Sequence, residues 1–354
     1  MEESTSRTLE NGTGAPDWTQ VDEAVRWIQF VMALLSVLGS ASTIICVMSQ
    51  RLSWMLELQP LVLLSLSDLM LAVCWLIGAS VSSWPRPQDA LRFHLRAVGQ
   101  VLFMASCCHT LSYVWHLYAG VQHRYRSRIG HLVQVSNRTT TANRITALLS
   151  SVLPVLLMAP VFIQGGVSRC HTNASAPTRY LPLSAGAQAV MSGPQQPIGA
   201  CGLLHAYSSV LFLSTFILTL LIITVLGVRA RRLYRRAVAS GGVLGRQQRA
   251  CVRLTERRML LFPLVLVFCW GPAVGVVFLW MTTPSGHRGE DWTVLSVVQV
   301  LPPASQGLLN HLVYLWTRAG LRQAGGGPSR DVDMQTPLLR AQRGRSYQTL
   351  CNTG

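Results

Sequence analysis

Long apolar blocks separated by short polar stretches run along most of this 354-residue chain. Each block is close to the roughly 20 residues that a helix needs to cross the hydrocarbon core of a membrane. The blocks are too long for barrel strands and lack their two-residue alternation. The pattern predicts an all-α membrane protein, a bundle of seven transmembrane helices at residues 27–49, 58–82, 97–121, 145–166, 203–228, 259–281 and 292–316.

Composition supports this class, because half of the residues are hydrophobic and only 12% are charged. Soluble globular proteins carry about a quarter of charged residues. The polar segment 1–26 precedes the first block, and the tail 318–354 is rich in Gly, Pro and Arg, which favours disorder. We therefore predict one domain, the bundle at 27–317, flanked by an extracellular segment and a disordered cytosolic tail.

The net charge of +16 comes entirely from arginine, since the sequence contains no lysine. A basic soluble protein would suggest a nucleic-acid partner. Here the arginines lie between the spans, mainly in 121–144 and 229–258, so we expect the bilayer as partner and no nucleic acid. The positive-inside rule then predicts an extracellular N-terminus and a cytosolic C-terminus. Separately, we expect the protein to lie in the plasma membrane. The loop 84–96 departs from this rule, because it carries three arginines on the predicted outer side.

Sequons and cysteines agree with that topology. Asn11 and Asn173 begin N-x-Ser/Thr sequons in predicted extracellular segments, whereas the sequon at Asn137 lies in a predicted cytosolic loop, where we expect it to stay unmodified. Cys170 and Cys201 bracket the loop between the fourth and fifth spans, in an oxidising compartment. They are the candidate disulfide.

Asp68 is the only carboxylate within a predicted span, and a buried charge in the bilayer is costly enough to indicate a role. Asn310 and Tyr314 stand one helical turn apart on the seventh span, so they share a face from which they can bond to Asp68 directly or through water. Ser305 and Gln306 extend this polar stripe. Three interpretations stay open for Asp68: a structural polar node, an ion or proton site, and a switch network.

Pro272 interrupts the sixth apolar block two residues after Trp270. A proline inside a helix removes a hydrogen bond and kinks the helix, which a membrane helix tolerates. A kink at Pro272 can act as a hinge that swings the basic end of the helix, at Arg253, Arg257 and Arg258, with Trp270 beneath an outward-facing cavity. A static kink is the alternative interpretation.

No pattern for catalysis or metal binding emerges. His109 and His116 lie seven residues apart on one helix face, whereas paired metal ligands on a helix prefer a spacing of four. A hydrolase site is not suggested either, because its candidate residues are too scattered: Asp68, His109, His205 and His311. We therefore expect no metal, no cofactor, no catalytic residues and no enzymatic activity.

Three motifs occur in the right spans and order for a seven-helix receptor: LSLSDL around Asp68, C-W-x-P from Cys269 to Pro272, and N-x-x-x-Y from Asn310 to Tyr314. They resemble the switch motifs of G-protein-coupled receptors. The resemblance implies that the aspartate binds a water or sodium network, that Trp270 senses ligand, and that the proline is the hinge of the sixth helix.

Further segments are similar to the transmembrane protein 116 family, over most of the chain from about residue 60. They are LRAVGQ (95–100), YVWHLY (113–118), LYRRAV with GVLG (233–245), FCWGPAV (268–274), ASQGLLN (304–310) and DVDMQTPLL (331–339). The tail segment is the most diagnostic, because membrane physics does not demand it. This resemblance implies a receptor-like protein without an established ligand.

The chain also departs from the rhodopsin-like receptor pattern. His123-Arg124-Tyr125 lacks the acidic residue of the triplet that ends the third helix, and His311 stands where a proline follows the seventh-helix asparagine. Gly39-Ser40 stands where the first helix has asparagine, and residues 91–100 contain no cysteine for the usual disulfide. These departures bear directly on coupling to a G protein.

The leading hypothesis is an orphan receptor-like protein that changes helix packing when it binds an unknown extracellular ligand. The candidate cytosolic partner is a heterotrimeric G protein, with anionic lipid beside it. The alternatives are a non-signalling membrane scaffold and an ion transporter that uses Asp68. The residues expected to face the cytosolic partner are Arg124, Arg126, Arg253, Arg257 and Arg258.

Overall fold

In the computed structural model of the protein, the structure describes residues 18–49, 59–81, 89–128, 136–167, 200–239, 246–282 and 301–325. These ranges are helical apart from a turn at Ser305, and none of them contains a strand. In chain order the helices are α1 (Trp18–Ser49), α2 (Gln59–Val81), α3 (Asp89–Arg128), α4 (Ser136–Val167), α5 (Ala200–Ala239), α6 (Arg246–Thr282), α7 (Leu301–Ala304) and α8 (Gln306–Gly325).

Six of these helices, α1 to α6, contain a stretch long and apolar enough to cross a membrane. The prediction of an all-helical, multi-pass membrane protein is thus confirmed for the described residues. The predicted seventh span, 292–316, is described only from residue 301 onwards. A seventh span and the orientation of the termini therefore stay predictions, and most of the predicted segments 1–26 and 318–354 lies outside the described residues.

The helices form a closed ring in which each contacts the next, and α8 completes it by packing against both α6 and α1. α3 also contacts α5 and α6 across the bundle. It is the most buried of the six apolar helices, because 72% of its most apolar stretch is packed inside the bundle. In α4 and in α5, only 28% of the corresponding apolar stretch is buried. Their outer faces carry exposed Leu, Ile and Val side chains, as expected of helices that face lipid.

Proline does not end the membrane helices. α4 continues through Pro154 and Pro160, and α6 continues through Pro263 and Pro272. Helices in a membrane tolerate internal proline because their neighbours can satisfy the freed carbonyl groups. The kink position predicted at Pro272 therefore lies inside one continuous helix.

The helical conformation is interrupted instead at Ser305, between α7 and α8. The Ser305 backbone N–H donates to the Pro302 carbonyl at 3.0 Å, which closes a turn, and the Ser305 carbonyl then accepts from Leu309 at 3.0 Å in the first turn of α8. The first N–H groups of a helix lack partners within that helix. One of them, on Gly307, donates to the Ser36 hydroxyl of α1 at 2.8 Å.

Candidate functional site

Asp68 lies in the centre of the bundle, on α2, with 1% of its surface exposed. Its oxygen Oδ1 accepts hydrogen bonds from the Ser106 hydroxyl at 3.1 Å and from Nε2 of Gln306 at 2.7 Å. Its other oxygen, Oδ2, accepts from Nδ2 of Asn310 at 2.6 Å. Bonds to a charged acceptor are stronger than neutral ones, so these donors from α3 and α8 hold the carboxylate in place.

The Gln306 side chain links Asp68 to α6. Its Nε2 donates to Asp68 and also to the Ser106 hydroxyl at 2.7 Å, while its oxygen Oε1 accepts from the indole N–H of Trp270 at 2.5 Å. The amide uses both of its donor hydrogens and an acceptor position in this arrangement. One side chain on α8 thus connects the carboxylate of α2 with the tryptophan that precedes Pro272.

Trp270 itself lies in an aromatic cluster and is only 2% exposed. Its ring centroid is 4.3 Å from that of Phe103 on α3 and 6.1 Å from that of Phe212 on α5, and the two phenyl rings are 4.6 Å apart. Aromatic pairs at such separations stabilise by about 0.5–1.5 kcal/mol beyond their burial. A displacement of these rings would therefore move the Trp270 ring and change its hydrogen bond to Gln306.

A row of side chains one helical turn apart runs along α8, from Gln306 through Asn310 to Tyr314. Asn310 contacts Asp68, whereas Tyr314 packs one turn further on in a buried cluster with Tyr113 of α3 and Phe262 of α6. The rings of Tyr113 and Phe262 meet edge to face at 4.9 Å. The row therefore connects the Asp68 network to the contact between α3 and α6.

Next to this cluster, Arg258 of α6 is 6% exposed although it carries a charge. It hydrogen-bonds the side chain of Tyr113, and its Nε has no partner among the described residues. The neighbouring Arg257 is exposed and lies over the Trp316 ring of α8, with the guanidinium carbon 5.6 Å from the ring centroid. We call the end of the bundle at Arg257 and Arg258 the basic end.

A salt bridge between Arg231 of α5 and Glu256 of α6, at 3.3 Å, lies at the same end. Three other arginines predicted to face a cytosolic partner belong to helices whose backbone is described, but their side chains lie outside the described set: Arg124 and Arg126 in α3, and Arg253 in α6. Among the arginines predicted to face a cytosolic partner, the structure therefore describes the side chains of Arg257 and Arg258 only.

Gly39 of α1 and His311 of α8, two of the residues that depart from the receptor pattern, lie close together where these helices pack. The hydroxyl of Thr43 lies 2.8 Å from Nδ1 of His311, and a methyl group placed on Gly39 would lie 3.3 Å from Cβ of His311 and 3.0 Å from Cα of Leu308. Small residues let membrane helices approach closely. Glycine on α1 and histidine on α8 therefore belong to one tight interface.

His109 and His116 are the two α3 histidines that the sequence places on one helix face. Nδ1 of His109 is 3.1 Å from the Ser150 hydroxyl, a contact that joins α3 to α4, and His116 is partly buried. In the described part of the chain, no three His, Cys, Asp or Glu side chains come together in a group that could hold a metal ion.

The predicted modification sites lie mainly elsewhere in the chain. Asn11, Asn173 and Cys170 fall outside the described residues. Cys201, in the first turn of α5, is disulfide-bonded. The pairing of Cys201 with Cys170 stays a prediction, because the partner lies outside the part of the chain described.

Sequence reasoning missed Ser106 and Tyr113 of α3, and it did not separate buried Arg258 from exposed Arg257. Ser106 carries no signal of its own, because a serine in an apolar helix is common. Arg258 does carry one, since it lies four residues before the apolar Phe262, on the same face of α6.

Together, the apolar helices and the buried polar network define an integral multi-pass membrane protein whose interior is held by Asp68 and its donors. A family model for transmembrane protein 116 matches residues 22–349. The chain belongs to the transmembrane protein 116 family, so the family resemblance seen in the sequence is confirmed.

Proposed function

We propose that this protein is a receptor-like membrane protein in which an extracellular ligand changes the packing of a seven-helix bundle. The change would pass to a cytosolic partner, for which a heterotrimeric G protein is the candidate. The seventh helix would comprise α7, α8 and residues before them. This seventh helix would be more polar than the others because it places Gln306 and Asn310 in the bundle interior.

The observation that carries this proposal is the bridge made by Gln306 between Trp270 and Asp68. A ligand shifts a two-state protein only through a difference in its affinity for the two states. A ligand that moves the rings of Phe103 and Phe212 would change the position of Trp270, and so the bond to Gln306. The buried network would then differ between the ligand-bound and the free bundle.

The hinge would be Pro272, which lies two residues after Trp270 within the continuous helix α6. On the other side of the network, Tyr314 packs in one cluster with Tyr113, whose side chain hydrogen-bonds Arg258 at the basic end. Movement of α6 about Pro272 would separate Arg258 from Tyr113 and open a cleft between α3 and α6. Because Arg258 is buried, a partner could contact it only after such a movement.

Orientation and location belong to the same proposal. The basic end would face the cytosol and the N-terminus the exterior, as the arginine distribution favours. A receptor for an extracellular ligand would lie in the plasma membrane. Arg124, Arg126 and Arg253 would add to the positive surface beside anionic lipid. The protein would have no enzymatic activity of its own.

The test is basal G-protein activation in cells across a panel of Gα subunits, with surface level measured in parallel. We expect activity above vector for one Gα, lost in Pro272→Ala and altered in Trp270→Ala at equal surface level. Wild-type activity in both variants at equal surface level would refute the assigned roles. Silence of the wild type across the whole panel would count against G-protein coupling and favour the scaffold.

Asp68 separates the remaining alternatives. Its carboxylate is buried without a cationic side chain bonded to it in the described residues, which also suits a transporter that binds a cation there. Asp68-dependent current or uptake would favour the transporter. A scaffold predicts that deletion of the tail matters and that Asp68→Asn does not.

A further inference from the structure

The arginines of the predicted outer loop 84–96 run against the positive-inside rule, and the Asp68 network does not involve them. Arg92 and Arg96 lie one turn apart near the start of α3. Arg96 lies 17 residues before Tyr113 on the same helix, which is about 25 Å at a rise of 1.5 Å per residue. Because Tyr113 bonds to Arg258, Arg96 lies at the end of the bundle opposite the basic end.

At this opposite end, polar side chains of α3 face polar side chains of α5. Arg96 lies close enough to His205 to act on its ring electrostatically. One turn deeper, Nε2 of Gln100 donates to the Ser208 carbonyl at 2.6 Å, and Oε1 of Gln100 accepts from the Ser208 hydroxyl at 2.5 Å. We call Arg96 and His205 the outer basic pair.

The outer basic pair is partly exposed, although it does not face lipid. On α5, His205 and Ser208 lie on the side that meets α3. The strongly exposed side chains of the same turns lie on the opposite side of the helix: Leu203, Tyr207 and Val210. The exposed part of His205 therefore opens between the helices, toward the end of the bundle.

Both stripes of side chains continue inward to the aromatic cluster. Phe103 lies three residues after Gln100 on α3, and Phe212 lies four residues after Ser208 on α5, so each ring is on the same helix face as the polar group. The two rings are 4.6 Å apart and both contact Trp270. The α3–α5 contact thus runs from the outer basic pair to the tryptophan that is bonded to Gln306.

We propose that Arg96 and His205 bind the carboxylate of a small organic anion, and that this anion is the extracellular ligand of the receptor; this inference rests on the proposed function. A guanidinium group binds a carboxylate through two parallel N–H donors. An imidazole N–H from the facing helix supplies a further donor. One arginine matches the single charge of a monocarboxylate.

The position of the site explains how such a ligand would act. A carboxylate bound by both members of the pair would join α3 to α5 above the Gln100–Ser208 contact. A change in the spacing of these two helices would move the rings of Phe103 and Phe212 against Trp270. The ligand would act to the extent that it binds one helix spacing more tightly than the other.

The experiment uses a cysteine introduced as Ser209→Cys in the full-length protein in lipid nanodiscs, because the Ser209 hydroxyl is 3.5 Å from Nδ1 of His205. Labelling rates are measured with a negatively charged and a positively charged methanethiosulfonate, each corrected for its rate with a free thiol and for the background of the parent protein. We expect the negative reagent to react faster. Its advantage should fall about tenfold in Arg96→Gln, since nearby unit charges interact by roughly that factor.

The ligand probe is benzoate, with benzamide as its neutral analogue and inorganic phosphate as the alternative anion. Benzoate should slow labelling about threefold at a concentration of about twice its dissociation constant. Benzamide and phosphate should not slow it. Arg96→Gln should abolish the protection by benzoate.

Two variants serve as controls for structure and for net charge. Arg318→Gln removes the same charge from α8 near the basic end and should change neither rate. Arg96→Lys should keep the preference for the negative reagent, because it keeps the charge. Thermal unfolding of each variant checks that the bundle is intact.

The inference would be overturned by an absence of labelling at the new cysteine, by a reagent preference that ignores Arg96→Gln, or by equal protection from benzoate and benzamide. Protection by phosphate but not by benzoate would also overturn it. A silent Gα panel would refute G-protein coupling and leave the labelling result unchanged. Conversely, Gα activity without benzoate protection would overturn the ligand class alone.

Discussion

The indole of Trp270 on α6 donates a hydrogen bond of 2.5 Å to the Gln306 side chain on α8. The same amide donates to Asp68 of α2 at 2.7 Å, so one side chain joins three helices in the bundle interior. In a nonpolar interior such a hydrogen bond stabilises more than it does in water, and a buried polar group that lacks its partner destabilises more. The relationship leads to predictions about both stability and conformational change.

Replacing Gln306 by leucine should lower the free energy of unfolding by about 1–3 kcal/mol, because it leaves the buried indole N–H of Trp270 without its acceptor and removes the amide donor to Asp68 and Ser106. The measurement is thermal unfolding of the purified protein in detergent. Gln164→Leu is the matched control, since Gln164 is exposed on α4. Equal melting temperatures for the two variants would contradict the role of Gln306.

Gly307→Ala should destabilise the contact between α1 and α8. A methyl group there would lie 2.9 Å from the Ser36 carbonyl oxygen and would also meet two serine hydroxyls, so backbone must move. Such overpacking costs about 1–3 kcal/mol. Gly227→Ala on α5 is the control, because its methyl group would meet nothing within 4 Å. A lower melting temperature for Gly307→Ala alone is the expected result.

Tyr113→Phe should loosen the basic end, since it removes the hydrogen-bond partner of the buried Arg258. We expect amide hydrogen exchange in α6 from Thr255 to Phe262 to rise by about tenfold, because an unpaired buried charged group is unfavourable by more than 1 kcal/mol. Exchange in α4 should not change. Protection equal to that of the wild type would mean that Tyr113 does not hold α6.

Glycosylation tests the proposed orientation. With the N-terminus outside, Asn11 and Asn173 should carry glycan and Asn137 should not. Asn→Gln variants at each position, compared by gel mobility before and after enzymatic deglycosylation, give the answer. Asn137 lies in the first turn of α4, so glycan there would place this end of the helix outside and reverse the topology.

The sequence predicted much of the fold, because apolar length is a direct physical signal for a spanning helix. The predicted span 145–166 already contained Pro154 and Pro160, and α4 continues through both. The sequence did not predict the turn at Ser305, because its position depends on contacts between helices, such as the one from Gly307 to Ser36. The same reason explains why the Ser36–Gly307 contact was invisible beforehand.

For the candidate site, the sequence singled out Asp68, Asn310 and Trp270 from charge, spacing and motif. It could not assign the bridging role to Gln306, because the pairing of α6 with α8 fixes that bond. Nor could it show that Tyr314 packs with Tyr113, the hydrogen-bond partner of Arg258. Those relationships arise from helix rotation, which short motifs do not encode.

The central claim is that the Trp270–Gln306–Asp68 bridge controls the position of α6 at the basic end. The most direct measurement is the distance distribution between spin labels at Gln122 of α3 and Leu260 of α6, introduced as non-canonical amino acids in nanodiscs. We predict that Gln306→Leu adds a longer-distance population, while Gln164→Leu matches the wild type. Identical distributions for all three proteins, with the Gln306 variant folded, would contradict the claim.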